Sequence, residues 1–320
     1  MRSIYDVITK DKLACKDKEK IIAVTHGGDA HPDDAFAGGF IKLIWGSENV
    51  TFIRSRSMED IVKGDIIFDV GRQYDGKRYF DHHQKEDPTI VESNGLKHSA
   101  FSLFTEAVIS DKEVLAEFNR RMAYGIAVRD NGQKDFGSMY QSLGLWVGIF
   151  NLTYDEIANG KDQDKQFDLI TEYCKAIIER QLIQILALSE SRTEVRKCCE
   201  SAIDGKILVL PQYMPYTEAL QQYPLIELVV YKHKTRDEWL VSVPPTRGQG
   251  IDNRTLLPIF WRGYDKDIPW RKELDPLLEK CNFVNSNGFI GSWQDADSAI
   301  AACEFTIRNN SGSCHSAASM

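Results

Sequence analysis

Histidines and aspartates crowd the first third of the chain. Five of its seven histidines, His26, His31, His82, His83 and His98, lie there, and four of them stand in clusters with aspartates. The first cluster is His26-Gly27-Gly28-Asp29-Ala30-His31-Pro32-Asp33-Asp34, and the second is Asp69, closing the apolar run 65–70. The third is Asp81-His82-His83, and the fourth is Asp130, in Val128-Arg129-Asp130-Asn131-Gly132. Neutral imidazoles mixed with carboxylates suit Mn2+, Zn2+ or Fe2+ better than Ca2+. Two ions about 3.5–4 Å apart need roughly six or seven ligands, one of them a bridging carboxylate. His26, His31, Asp33, Asp69, His82 and Asp130 supply that number. Such an ion pair lowers the pKa of a water held between the ions and stabilises charge on a phosphoryl oxygen. Taken singly, each residue has an ordinary structural reading. A strand-end histidine commonly hydrogen-bonds its surroundings, and Asp33 or Asp34 could serve only as a helix N-cap. Four clusters at successive element ends favour a metal centre of two divalent ions, with Mn2+ preferred and Zn2+, Fe2+ or Mg2+ as alternatives.

The elements that must carry these residues are legible in the apolar pattern. Residues 21–25, 50–54 and 65–70 are short branched runs that read as buried strands, and KRYF before Asp81 reads as another. Ala35, Phe36, Phe40, Ile41, Leu43 and Ile44 recur at helical spacing after Asp33 and Asp34, and a helical turn is expected from Ser57. Alternating strands and helices predict an α/β fold with a mainly parallel sheet, whose ligands gather at the carboxyl ends of the strands. Residues 98–128 and 138–150 are expected to be largely helical, followed by a long helix over 162–200. A second, smaller α/β pattern has strands at 207–210, 225–232, 239–243 and 281–286, and a closing helix at 295–307. The expected division is 1–160 for the metal-binding part, 161–200 for a connecting helix, 201–310 for the second domain and 311–320 for a frayed tail.

Length and composition fit this division. The 320 residues are 42% hydrophobic and 27% charged, which suits a globular chain of two domains. With 39 Lys and Arg against 47 Asp and Glu, the net charge is −8. A broad basic nucleic-acid surface is not expected, although metal ions can draw in short anionic substrates. No apolar run nears the ~20 residues that span a bilayer, so no membrane partner is expected. The first twenty residues mix acids and bases and resemble no targeting segment. Cys15, Cys174, Cys198, Cys199, Cys281, Cys303 and Cys314 form no CxxC pair, which fits a reducing, cytoplasmic location.

The clusters also carry a resemblance. Asp81-His82-His83 after a strand, with an upstream His…Asp motif and a lone strand-end Asp, resembles the DHH phosphoesterase superfamily. Thr25-His26-Gly27-Gly28-Asp29-Ala30-His31-Pro32-Asp33-Asp34-Ala35 is similar to a motif of the melanocyte proliferating gene 1 family, also called uncharacterised protein family 0160. So are Asp69-Val70-Gly71, Tyr74-Asp75, Arg78-Tyr79-Phe80-Asp81-His82-His83-Gln84 and Asp130-Asn131-Gly132. In the second half, Ile207–Leu210, Val229–Tyr231, Arg254, Trp261-Arg262-Gly263 and the stretch from Phe283 to Gly291 agree as well. Pro32, Arg72, Arg129, Asn285 and Ser292 depart from the family pattern.

The resemblance implies an N-terminal DHH-type domain and a metal-dependent phosphodiesterase. It implies a 3′–5′ exonuclease on RNA or short oligonucleotides, using a water activated by two metal ions. His83 would act as electrostatic stabiliser or general acid, with Asp81 orienting it. Arg254, Arg262, Gly288 and Gly291 would hold the substrate in the second domain. If the Asp81-His82-His83 segment is extended, the two histidine side chains should diverge, leaving one free for the substrate. Association with a second copy of the chain stays open. Two other readings compete. Ala30-His31-Pro32-Asp33-Asp34 resembles the motif of zinc-dependent N-deacetylases, which leaves Asp81-His82-His83 and the second domain unexplained. A non-catalytic metal- or nucleotide-binding module is opposed by the complete ligand set. Trp261, Trp270 and Trp293 could stack bases but are more often core residues.

Overall fold

The computed structural model describes residues 2–84, 95–133, 141–246, 254–268 and 275–312. Two compact units are present, Met1–Ala187 and Leu188–Met320. In the first, β1 (Ile21–Thr25) is a branched apolar run with most side chains buried. It leads through a turn into α1 (Pro32–Trp45), then β2 (Val50–Arg54), α2 (Met58–Ile61), β3 (Ile66–Phe68) and β4 (Tyr79–Phe80). The sheet order is β2-β1-β3-β4. All pairings are parallel, so the carboxyl ends of the four strands share one edge. Pro32 opens α1 with its φ already helical, and the Ser57 hydroxyl accepts from the Asp60 N–H to start α2.

Among the described residues the further helices are α3 (Ala100–Val108), α4 (Lys112–Phe118), α5 (Tyr124–Asp130), α6 (Gln141–Phe150), α7 (Tyr154–Ala158) and α8 (Gln163–Glu200), the last of which runs on past Ala187. A π-helical turn at Asn119–Ala123 joins α4 to α5. The core is aromatic: Phe36 and Phe40 of α1 pack against Phe101 and Phe104 of α3, and Phe80 of β4 meets Phe104 edge-on at 5.1 Å. Each such ring contributes about 2–3 kcal/mol by leaving water. Phe167, Ile170, Cys174, Ile178 and Leu182 of α8 complete this core. Gly39 lets α1 approach α8 closely, since a Cβ there would lie 2.7 Å from the Lys175 backbone nitrogen.

Val195 and Cys199, near the end of α8, pack in the second unit. That unit holds β5 (Ile207–Leu210), β6 (Leu228–Lys232), β7 (Trp239–Ser242), β8 (Cys281–Val284), β9 (Ile290–Trp293) and α9 (Ala296–Gly312). Its sheet order is β5-β6-β7-β9-β8, parallel only between β5 and β6. The chain is thus α/β, with a parallel sheet in the first unit and a mixed sheet in the second. Strand β9 has no counterpart in the sequence reading. Ile-Gly-Ser-Trp lacks a run of branched residues, and pairing with β7 and β8 holds it in place. The strand expected from residue 225 begins at Leu228, because Leu225 is exposed. Trp261 and Trp293 are fully buried against each other and are core residues, while Trp270 lies outside the described residues.

Candidate metal centre

The carboxyl edge of the first sheet carries the expected residues. His26 follows β1, Asp69 follows β3, and Asp81-His82-His83 follows β4. His31 caps α1, and Asp33 and Asp34 fill its first turn. Asp130 ends α5, where a carboxylate faces the negative pole of the helix. Asp69 adopts φ +53, a left-handed conformation that aspartate tolerates better than most residues.

Four of the six expected ligands gather around the other two, Asp69 and His82. One of the Asp69 oxygens, Oδ2, lies 3.3 Å from His26 Nε2, and the other, Oδ1, lies 3.5 Å from His82 Nε2. His82 Nε2 also sits 3.0 Å from Asp130 Oδ2 and 3.7 Å from Asp33 Oδ2. Three overlapping ligand groups result, one of them Asp69, His82 and His83. In His26, His31 and Asp69, and again in Asp33, His82 and Asp130, the ligand atoms lie within 4.8 Å of one another. His26 Nδ1 can donate to the Gly27 carbonyl at 3.0 Å, which turns Nε2 toward Asp34 and Asp69. Both oxygens of Asp33 accept backbone N–H groups, from Ala100 and Phe101 at 2.8 Å each, and so tie the start of α1 to the start of α3.

The cluster is short of positive charge. His26 Nε2, Asp34 Oδ2, Asp69 Oδ1 and His82 Nε2 are buried without a hydrogen-bond partner. The 3.0 Å contact between His82 and Asp130 is close but not aligned as a hydrogen bond. Burial, together with the charges of Asp130 and Asp69, pushes the Asp33 carboxyl well above the usual range. Burial raises the Asp34 carboxyl to about 7 against the opposing pull of His26. Burial works to lower the His82 imidazole, but the facing Asp130, Asp69 and Asp33 carboxylates hold it up at about 11. The Asp69 carboxyl is also disfavoured by burial, yet the flanking His26 and His82 bring it far below the usual range. Orphaned buried polar atoms and crowded carboxylates beside imidazoles form a donor set that fits divalent cations, which would take the place of the imidazole protons.

His83 sits differently. Its Nδ1 donates to Asp81 Oδ1 at 2.7 Å, and the same oxygen accepts the His83 backbone N–H at 3.0 Å. Asp81 Oδ2 accepts the Arg72 backbone N–H at 2.6 Å. Almost fully buried, Asp81 thus orients the exposed His83 ring and braces the turn at Arg72. The expected divergence of the two histidines is not found. Their ring centroids are 4.1 Å apart, because β4 ends at Phe80 and the segment beyond it is not extended strand. His83 Nδ1 also lies 3.5 Å from Asp69 Oδ1, the oxygen that faces His82, while its Nε2 has no partner among the described residues.

A cavity of about 680 Å3 opens onto this cluster, lined by His26, His31, Asp69, His82, His83 and Asp130, and by Arg56, Met58 and Arg72 among others. Asp34, Arg56 and Met58 carry no signal in the sequence that sets them apart from helix-capping and surface residues. The other four expected residues lie in the second unit and are engaged there. The Arg254 guanidinium donates to the carbonyls of Leu220, Tyr223 and Ile226, and Arg262 Nε donates to that of Leu257. Gly288 lies against Arg262, and Gly291 against the Trp293 ring. These contacts hold backbone and ring packing in place.

The sequence has relatives along nearly its whole length. The family model of an uncharacterised protein family, UPF0160, matches residues 22–307. The MYG1 protein of Saccharomyces cerevisiae is 24% identical, with 94% of this chain and 99% of the yeast chain covered. The MYG1 exonuclease of Homo sapiens is 23% identical, with 90% and 86% covered. Among solved structures, the exonuclease RecJ bound to manganese is 11% identical over 95% of this chain and 92% of its own, with a TM-score of 0.30. With a match that runs from β1 into α9, the chain belongs to the uncharacterised protein family UPF0160.

Proposed function

We propose that the chain is a metal-dependent phosphodiesterase that acts as an exonuclease, 3′–5′ on RNA or short oligonucleotides. The observation that carries this reading is the placement of Asp69, whose two oxygens face two separate ligand groups. Relatives named as exonucleases support the choice of nucleic acid as substrate. His26, His31 and Asp69 would hold one divalent ion, and Asp33, His82 and Asp130 the other, with Asp69 shared. Mn2+ suits this mixture of imidazole and carboxylate. Bound there, the ions would supply an activated water and offset charge on the phosphoryl oxygens.

The chain's own groups do the rest. Asp33 is kept in place by two backbone N–H groups, so its carboxylate is preorganised. His83, oriented through Nδ1 by Asp81, lines the cavity, where its ring can pass a proton to a leaving oxygen or stabilise its charge. Substrate holding by Arg254, Arg262, Gly288 and Gly291 rests on the family resemblance alone. Among the described residues, no helix is long and apolar enough to cross a membrane.

The deacetylase reading is the rival. It requires a later histidine ligand, and His98 is turned to Ser102 at 3.0 Å, outside the ligand groups. The test is a panel of short RNA and DNA oligonucleotides and an N-acetylglucosaminyl substrate, each with Mn2+, Mg2+, Zn2+ or chelator. Metal-dependent release of mononucleotides from the 3′ end is expected. Release of acetate without nucleotide would refute the proposal.

A further inference from the structure

Arg72 is held in an unusual backbone conformation. Its φ is +54, directly after Gly71 at φ +96. A long side chain in the left-handed region is strained, whereas glycine would sit there freely. The turn is nevertheless fixed, because buried Asp81 accepts the Arg72 N–H at 2.6 Å. The same carboxylate orients His83, so the position of Arg72 is coupled to that of His83.

The guanidinium has no internal task. Arg72 lines the cavity over the candidate metal centre, and its side chain has no hydrogen-bond or ion-pair partner among the described residues. Asp69, Asp81 and Asp130 line the same cavity, yet their charge is directed to histidines and backbone N–H groups. Arg56 lines the cavity as well, just past the end of β2, and is likewise unpaired among the described residues. The two arginines therefore follow the two strands that flank β1. In a chain of net charge −8, they bring positive charge without an ion-pair partner among the described residues to the lining of a cavity whose ligand cluster is acidic. The cavity, at about 680 Å3, is larger than one phosphate group requires.

We infer that Arg72, with Arg56 beside the same cavity, forms a subsite for a second phosphate, the one next to the phosphate at the metal centre. This rests on the phosphodiesterase reading and deepens it. The substrate class is narrowed to chains with at least two phosphates, in preference to esters with one. Guanidinium groups suit this task because their forked donors match two phosphate oxygens.

Equilibrium binding tests the subsite without turnover. A nucleoside 3′,5′-bisphosphate and the matching 5′-monophosphate are titrated, with Mn2+, into wild-type protein and into Arg72→Gly, Arg72→Gln and Arg56→Gln. Wild type should bind the bisphosphate at least ~10-fold more tightly than the monophosphate. In Arg72→Gly that preference should fall to near parity while monophosphate affinity stays within about threefold. The melting temperature of Arg72→Gly should equal or exceed that of wild type, since glycine relieves the strain. Arg72→Gln should lose the preference without that gain, and Arg56→Gln should lose part of it. A wild type without preference, or a preference that survives in both Arg72 variants, would overturn the subsite. So would an equal loss of monophosphate binding in both, which places Arg72 on the metal-centre phosphate. A wild type that prefers the bisphosphate but hydrolyses no phosphodiester would instead refute the catalytic reading and leave the subsite standing.

Discussion

Asp69→Asn is the substitution that bears most directly on the metal centre. Asparagine is isosteric and tolerates the left-handed φ of +53, so the backbone need not move. What changes is one negative charge shared by two ligand groups, with Oδ2 3.3 Å from His26 Nε2 and Oδ1 3.5 Å from His82 Nε2. Two unit charges about 4 Å apart interact by about 4 kcal/mol at an effective dielectric constant of about 20. The amide keeps one oxygen as a ligand, and removing the charge relieves repulsion with Asp33 and Asp34. A net loss of about 2–3 kcal/mol per ion remains, or roughly 30- to 150-fold in affinity for both ions. Asp33→Asn removes a charge that faces only the group of His82 and Asp130, so one ion should weaken and the other should stay. The assay is titration of Mn2+ into chelator-stripped protein by calorimetry, with metal content after dialysis as a second readout. The reasoning is refuted if Asp69→Asn retains wild-type affinity, or if Asp33→Asn weakens both ions as much.

Other substitutions probe the surrounding shell. His83→Ala should leave Mn2+ binding near wild type while oligonucleotide hydrolysis falls by roughly a hundredfold or more, and a parallel loss of metal would make His83 a ligand. Asp81→Asn leaves either the Arg72 N–H or the His83 ring without its acceptor, because the amide nitrogen cannot accept. It should cost about 1–3 kcal/mol in urea unfolding and lower turnover with little change in metal content. Gly39→Ala forces a Cβ to within 2.7 Å of the Lys175 backbone nitrogen and should destabilise the fold by about 1–3 kcal/mol, read as a lower melting temperature. Chelation should also lower the melting temperature, by the equivalent of about 2.7 kcal/mol when the free ion had stood at 100 times its dissociation constant. An unchanged transition would argue against bound metal.

Element identity was legible in the sequence because its signals are local. Branched runs marked β1 and β2, apolar spacing marked α1 and α8, and Ser57 marked the start of α2. Strand β9 was not legible, since Ile290-Gly291-Ser292-Trp293 acquires its strand character from its neighbours β7 and β8.

The same division runs through the site. Residue type and strand-end position single out His26, His31, Asp33, Asp69, His82 and Asp130, because few arrangements put imidazole and carboxylate together so often. Tertiary structure alone decides that Asp69 stands between two groups, that Asp33 is pinned by the first N–H groups of α3, and that Asp34 keeps an orphaned oxygen. It also decides that Asp81 grips Arg72 and His83 at once, and that Arg254 is engaged by three carbonyls of its own unit. The reason is physical. Periodicity and capping depend on neighbours in the chain, whereas a shared carboxylate or an engaged guanidinium depends on distances between segments far apart in sequence. Those distances are set by which strands pair, in which register, and by how closely helices such as α1 and α8 can pack.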